Sequence, residues 1–117
     1  MLLLQVLMPK ALAEMIGTFT MIFVGGGSIL LFERHSIPAF CVPLAWGAVI
    51  SLMILIFGNV SGAHFNPAVS LAFAVTKRLP SHLLPLYWGS QLVGGLGAVG
   101  LLGMLQNQDM DPVIVRC

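Results

Sequence analysis

A short polar stretch inside a very apolar chain places the strongest constraint on the fold. It runs from Ser61 to Val69 and contains Asn66-Pro67. Asparagine is a favoured N-cap, and proline fits the first helical position because its missing N–H would be unpaired there anyway. We therefore predict a short helix from Pro67 to about Thr76, preceded by irregular backbone. Within a membrane such backbone persists only when it is buried in protein or lines a water-filled cavity, so the stretch indicates a pore.

The composition indicates a membrane environment. Of the 117 residues, 58% are hydrophobic and only 8% are charged, whereas about a quarter of the residues in a typical soluble domain are charged. The length leaves room for about three spans of roughly 20 residues each. A net charge of +1 without a basic cluster argues against nucleic acid as a partner. The sequence offers no nucleophile–base pair, no carboxylate dyad and no set of metal ligands, so we expect neither an enzyme nor a metal or other cofactor.

Apolar runs define the predicted elements. The N-terminal segment at 1–9 is apolar, and we expect Pro9-Lys10 to end it. A repeat at 10–105 follows, with spans at about 10–32, 42–58 and 85–105, a re-entrant loop and half-helix at about 59–77, and then a polar tail at 106–117. The half-helix of about ten residues is about 15 Å long and reaches only halfway across a core of about 30 Å. The predicted fold class is an all-α membrane protein with three transmembrane helices and one re-entrant half-helix.

The basic residues give an orientation. Lys10, Lys77 and Arg78 fall on one side of this arrangement, and Arg34 and Arg116 fall on the other. The positive-inside rule then places the N-terminus in the cytoplasm, as expected for a multi-pass protein of the plasma (cell inner) membrane. Because the difference between the two sides is small, insertion of copies in both orientations stays open.

Two ionisable residues each have two interpretations. Glu14 lies near the start of the first span, where an ionisable group is costly and by default functional. It either faces inward and bonds the irregular backbone near His64, or lies in the interface and is solvated. His64 is either a hydrogen-bonded structural histidine, which we favour, or part of a proton relay.

One long motif resembles a known family. The run Ser-Gly-Ala-His-Phe-Asn-Pro-Ala-Val-Ser, from Ser61 to Ser70, strongly resembles the first NPA loop of the aquaporin and glycerol-facilitator (major intrinsic protein) family. The similarity covers most of the chain from about Lys10 to Leu105. It also includes Ala13-Glu14, Gly17-Thr18, Gly26-x-Ser28, Leu44-Ala45-Trp46-Gly47 and Gln91.

The resemblance implies roles for the residues of the loop. The half-helix of this family meets an inverted partner at the pore centre, so Asn66 would donate its side-chain N–H groups to the passing solute. A polar track leading to it would be formed by the carbonyls of Gly62, Ala63, His64 and Phe65. The loop would be braced by Glu14, with structural support from Pro67, Ala68 and Gln91.

The resemblance also implies a role for Trp46. It would occupy the second-span position of the narrow selectivity constriction, where glycerol facilitators and plant nodulin-like channels carry tryptophan. This favours glycerol or another small uncharged solute. The alternative is a lipid-facing or interfacial tryptophan, which is common in membrane proteins.

The family is built from two inverted repeats, and this sequence resembles the first. The 117 residues contain one Asn-Pro-Ala motif. The resemblance therefore implies a passive transmembrane channel for water or small uncharged solutes such as glycerol, with this chain supplying one half of the pore. Its partners would be the solute, the lipid bilayer and a second half-repeat or other channel subunits. The alternatives are a truncated, non-conducting fragment, a regulatory membrane subunit of an intact channel, and a pore formed by two oppositely inserted copies.

Overall fold

Three long helices and one short helix make up the fold. The computed structural model describes residues 1–108. In chain order the helices are α1 Leu2–Glu33, α2 Cys41–Ser61, α3 Pro67–Val75 and α4 Leu84–Gln108, and a 3-10 turn at Ser81–Leu83 precedes α4. Since residues 1–108 contain no strand, the predicted all-α fold is confirmed.

The length of each helix decides whether it can cross a bilayer. Helices α1 and α2 are long and apolar enough to do so, as is α4 together with the turn before it. Helix α3 has nine residues and is therefore about 14 Å long, which is about half of the hydrocarbon core. The three predicted spans and the predicted half-helix are thus all present.

Helix α1 packs against both α2 and α4 and lies between them. Its backbone approaches α4 closely at Gly94, where an added Cβ would lie 2.2 Å from the carbonyl oxygen of Met15. Farther along, Gly26 of α1 faces Leu102 of α4, so these two helices run parallel. Small residues permit this close packing of membrane helices, which in lipid depends on direct contact rather than on expulsion of water.

The N-terminal boundary predicted at Pro9-Lys10 is wrong. Helix α1 begins at Leu2 and includes Pro9. Proline lacks the N–H that would bond the carbonyl of Gln5, but the loss of one hydrogen bond does not end a long helix, and membrane helices tolerate proline. The span predicted at 10–32 is therefore part of a longer helix.

The re-entrant loop begins at Gly62, three residues after its predicted start at about residue 59, because α2 continues through Ser61. The helix ends where Gly62 adopts a left-handed φ of 91°, a conformation that glycine takes without steric cost and that commonly ends helices. The Gly62 N–H donates to the Gly58 carbonyl at 3.0 Å. At the other end of the chain, residues 106–108 of the predicted tail belong to α4, and the rest of that tail lies outside the described residues.

Candidate pore site

The loop between α2 and α3 has an unusual backbone. Besides Gly62, both Ala63 and Phe65 have positive φ angles, of 52° and 53°. Residues with a Cβ rarely adopt this region, which costs about 1–3 kcal/mol at each position and persists only where the surroundings fix the chain. Contacts that fix the loop are therefore expected around it.

The carboxylate of Glu14 supplies these contacts. It is fully buried, and its Oε1 accepts hydrogen bonds from the Ser61 hydroxyl at 2.7 Å and the His64 backbone N–H at 3.0 Å. Its Oε2 accepts from the Phe65 backbone N–H at 2.7 Å and from Nε2 of Gln91 at 2.9 Å. Four donors on two oxygens satisfy a buried carboxylate. Glu14 is thus bonded to the irregular backbone and is not solvated at the interface.

A second set of buried side chains supports this contact. Nε2 of Gln91 also donates to the Ser70 hydroxyl at 2.8 Å, and that hydroxyl lies 2.9 Å from Nδ1 of His64. The Tyr87 hydroxyl donates to the carbonyl of Ser61. The imidazole of His64 is therefore held in the protein interior by a hydroxyl partner.

Three members of this network were not predicted from the sequence as site residues: Ser61, Ser70 and Tyr87. Ser61 and Ser70 are the first and last residues of the recognised motif, and Tyr87 precedes Gln91 by one helical turn. The i, i+4 spacing of Tyr87 and Gln91 places both on the same face of α4. This spacing is the signal that could have identified Tyr87.

Asn66 and Pro67 begin α3 as predicted. Pro67 is the first helical residue, and Oδ1 of Asn66 accepts a hydrogen bond from the Ala68 N–H at 2.8 Å. The Asn66 side chain is exposed. Within residues 1–108 its amide N–H groups donate to no other group, so they remain available to a molecule outside this chain.

The loop buries two of its side chains and leaves four of its carbonyls without a hydrogen bond from the described residues. The side chains of His64 and Phe65 are buried, and the Phe65 ring lies so close to α1 that a Cβ at Gly17 would be 2.0 Å from it. Gly62 is exposed, and Ala63 is half-buried. The carbonyls of residues 62–65 accept no hydrogen bond from any described residue. The loop thus has a row of four consecutive acceptors that this part of the chain does not satisfy.

Trp46 lies apart from this cluster. Its ring packs over Gly25 of α1, where an added Cβ would be 2.3 Å from its Cε2 atom, and the side chain is half-buried. Gly25 is about 16 Å along α1 from Glu14, at 1.5 Å per residue. The structure therefore brings together the loop, Glu14 and Gln91, and places Trp46 beyond them toward the other end of the bundle.

These features define an integral membrane protein in which a buried carboxylate holds a polar, re-entrant loop at the start of a half-length helix. The model of the family described as "Major intrinsic protein" matches residues 4–116. The chain belongs to this family, of which it forms a half-repeat, and the resemblance inferred from the loop motif is confirmed. It is a multi-pass membrane protein.

Individual relatives are similar over most of this chain. Aquaporin NIP3-1 of Arabidopsis thaliana is 43% identical over 104 residues, which cover 87% of this chain and 32% of the relative. Nodulin-26 of Glycine max is 37% identical over 102 residues, covering 84% and 37%. Aquaporin NIP1-1 of Oryza sativa subsp. japonica is 38% identical over 98 residues, covering 82% and 34%. The chain spans about a third of the length of these relatives.

Proposed function

We propose that this chain supplies one half of the wall of a passive transmembrane channel for water or small uncharged solutes such as glycerol. The row of unsatisfied carbonyls at residues 62–65, next to the exposed amide of Asn66, carries this proposal. A polar group that enters an apolar medium without hydrogen bonds costs several kcal/mol. Acceptors from the carbonyls and donors from Asn66 replace the hydrogen bonds that the solute loses on leaving water.

The same geometry disfavours cations. The N-terminus of α3 lies at Asn66, and the unpaired N–H groups of a helix N-terminus carry a partial positive charge. A positive helix end beside a narrow polar path repels cations and opposes proton passage. This geometry therefore favours a solute that carries no positive charge.

Two observations bear on which neutral solute passes. The relatives are named as aquaporins and as nodulin-26, which favours water or a small solute. Trp46 packs against α1 near the end of the bundle that lies away from the Glu14 cluster. A bulky aromatic ring at this position favours a solute such as glycerol, whose carbon backbone contacts the ring while its hydroxyls bond the loop.

An open groove supports the presence of a second half. The loop contacts α1 at Glu14 and Gly17, whereas a groove of about 490 Å³ lies open near the C-terminal end of α1. Its apolar lining comes from all three long helices and includes Gly27, Ala45 and Leu102. We propose that a second half-repeat fills this groove and completes the pore, supplied either by a continuation of the polypeptide or by another channel subunit.

We propose a plasma-membrane location, and the basic residues support a cytoplasmic N-terminus. Pro85 and Leu86, at the start of α4, line a small groove together with Ala11 and Leu12 of α1. Residues 77–78, Lys-Arg, come shortly before α4 in the sequence. We therefore infer that they lie at the end of the bundle that holds the start of α1. This clustering of positive charge favours the cytoplasmic side for that end.

The substitution Asn66→Asp tests the proposal, because it keeps the capping oxygen and removes the amide donors. The full chain is reconstituted in vesicles together with the second half of nodulin-26, and water and glycerol permeability are measured by stopped-flow light scattering. We expect a loss of about tenfold or more in flux, the equivalent of one hydrogen bond of about 1.4 kcal/mol. Asn59→Asp, the same change at an exposed position of α2, serves as the control and should leave the flux unchanged.

Two results would contradict the proposal. One is a wild-type flux equal to that of empty vesicles, which would favour a non-conducting fragment or a regulatory subunit. The other is an Asn66→Asp flux equal to that of the wild type, with the folded state intact in both. The second result would place the solute path away from the loop.

A further inference from the structure

The N-terminal end of α1 extends beyond the rest of the bundle. The amine of Lys10 donates to the carbonyl of Val60, at the end of α2, at a distance of 3.2 Å. The first turn of α4 lies level with Ala11 and Leu12, as the shared groove shows. The segment Leu2–Met8 precedes both contacts and continues for about 10 Å at 1.5 Å per residue. The longest dimension of the molecule, 51 Å, matches the length of α1.

This segment presents largely exposed apolar side chains. The exposed fractions are 79% for Leu2, 71% for Leu3, 61% for Leu4, 54% for Val6 and 48% for Met8. Because consecutive leucines of a helix point in different directions, they cannot all be covered by one neighbouring element. An exposed apolar surface of this kind marks a site of contact with a partner or a membrane.

Charges at the same end indicate where the membrane surface lies. Lys10 lies at this end, and Lys77 and Arg78 shortly precede α4, whose first turn returns to it. Basic side chains favour the level of the anionic headgroups. The headgroup layer on each side of a bilayer is about 5–7 Å thick, which follows from total and core thicknesses of about 40–45 Å and 30 Å. A straight α1 would therefore carry its first leucines through the headgroups into water.

Pro9 offers a different path. It removes the helical hydrogen bond to the Gln5 carbonyl, and proline is a recognised cause of bends in helices. A bend here would turn the segment along the membrane surface. Its leucines would then enter the boundary between headgroups and acyl chains, where buried apolar area and attraction to anionic lipid both strengthen binding.

We propose that Leu2–Met8 is an interfacial anchor that, together with Lys10, Lys77 and Arg78, binds a membrane surface rich in anionic lipid. The leucines supply the apolar contact, and the basic side chains bind the lipid phosphates. The partner is the lipid surface itself, because apolar exposure and positive charge occur at the same end of the molecule. This inference depends on the chain spanning the membrane and is independent of whether it conducts a solute.

Site-directed spin labelling tests this inference. A nitroxide is attached at Leu4→Cys in the full chain with Cys41→Ser and Cys117→Ser, reconstituted in phosphatidylcholine vesicles with and without phosphatidylserine. We expect the label to be more accessible to oxygen than to a water-soluble nickel chelate, as at the apolar position Ile54→Cys. The opposite order is expected at the loop position Ser36→Cys. Phosphatidylserine should shift the Leu4 label deeper, and Lys77→Gln with Arg78→Gln should abolish that shift.

Three results would overturn the inference. Nickel accessibility at Leu4→Cys equal to that at Ser36→Cys would place the segment in water. Spin–spin broadening that disappears on dilution with unlabelled chain would mean that the segment packs against a second copy. A depth that is the same in both kinds of vesicle would remove the role of anionic lipid. The spectrum of the Ile54→Cys label reports whether the chain has folded in each preparation.

Discussion

Glutamine at position 14 would leave one buried backbone N–H without an acceptor. The wild-type carboxylate accepts from the His64 N–H with one oxygen and from the Phe65 N–H with the other. Glutamine has a single oxygen and an amide NH2 group, so one of these two backbone donors must face another donor. The other partners can adjust, because the Ser61 hydroxyl can rotate and the amide of Gln91 can turn to present its Oε1, which has no partner among the described residues.

The expected magnitude follows from this count. One unsatisfied buried donor costs about 1–3 kcal/mol, so Glu14→Gln should lower the free energy of unfolding by that amount. Glu14→Ala leaves all four donors without their acceptor and should cost at least about 4 kcal/mol by the same measure. Glu33→Gln makes the same chemical change at an exposed position and should stay within about 0.5 kcal/mol of the wild type.

Equilibrium unfolding in mixed micelles of dodecyl maltoside and sodium dodecyl sulfate provides the assay. Tryptophan fluorescence reports the transition, since Trp88 donates to the Pro67 carbonyl at the start of α3. A Glu14→Gln variant as stable as Glu33→Gln would refute the conclusion that the carboxylate holds the loop. A Glu14→Gln variant whose free energy of unfolding is lower than that of Glu33→Gln by about 1–3 kcal/mol would agree with that conclusion.

Two further predictions concern close contacts of glycines. Gly94→Ala places a Cβ against the backbone of Met15, so it should separate α1 from α4 and lower the free energy of unfolding by about 1–3 kcal/mol in the same micelle assay. Gly100→Ala, whose Cβ would meet open space, should not destabilise the protein, and a loss of stability in this control would refute the packing argument. Gly25→Ala places a Cβ against the Trp46 ring, so the ratio of glycerol to water permeability, measured by stopped flow, should differ from that of Gly100→Ala. An unchanged ratio would argue against Trp46 as a selectivity residue.

Local chemistry made the half-helix predictable. Asn66 accepts from the Ala68 N–H and Pro67 takes the first helical position, because both preferences depend only on neighbouring backbone groups. The burial of Glu14 could be stated only as one of two interpretations. Its partners come from α2, the loop and α4, and their proximity is decided by the packing of the helices.

The helix boundaries were harder to predict than the helices themselves. Pro9 and Gly58 are both residues that often end helices, yet α1 passes through the first and α2 through the second. Helix α2 ends instead at Gly62, where the loop requires a positive φ. That requirement arises from the contacts of the loop with Glu14, which the order of residues along the chain does not reveal.

A cysteine at Ala63 would test most directly whether the loop lines a solute path. Ala63→Cys, with Cys41→Ser and Cys117→Ser, is reconstituted with the second half of nodulin-26, and water flux is measured before and after addition of mercuric chloride. If the loop lines the path, mercury should block the flux, and a thiol reductant should restore it, while Leu55→Cys on α2 stays insensitive. A flux through Ala63→Cys that mercury leaves unchanged would contradict the assignment of residues 62–66 to the pore.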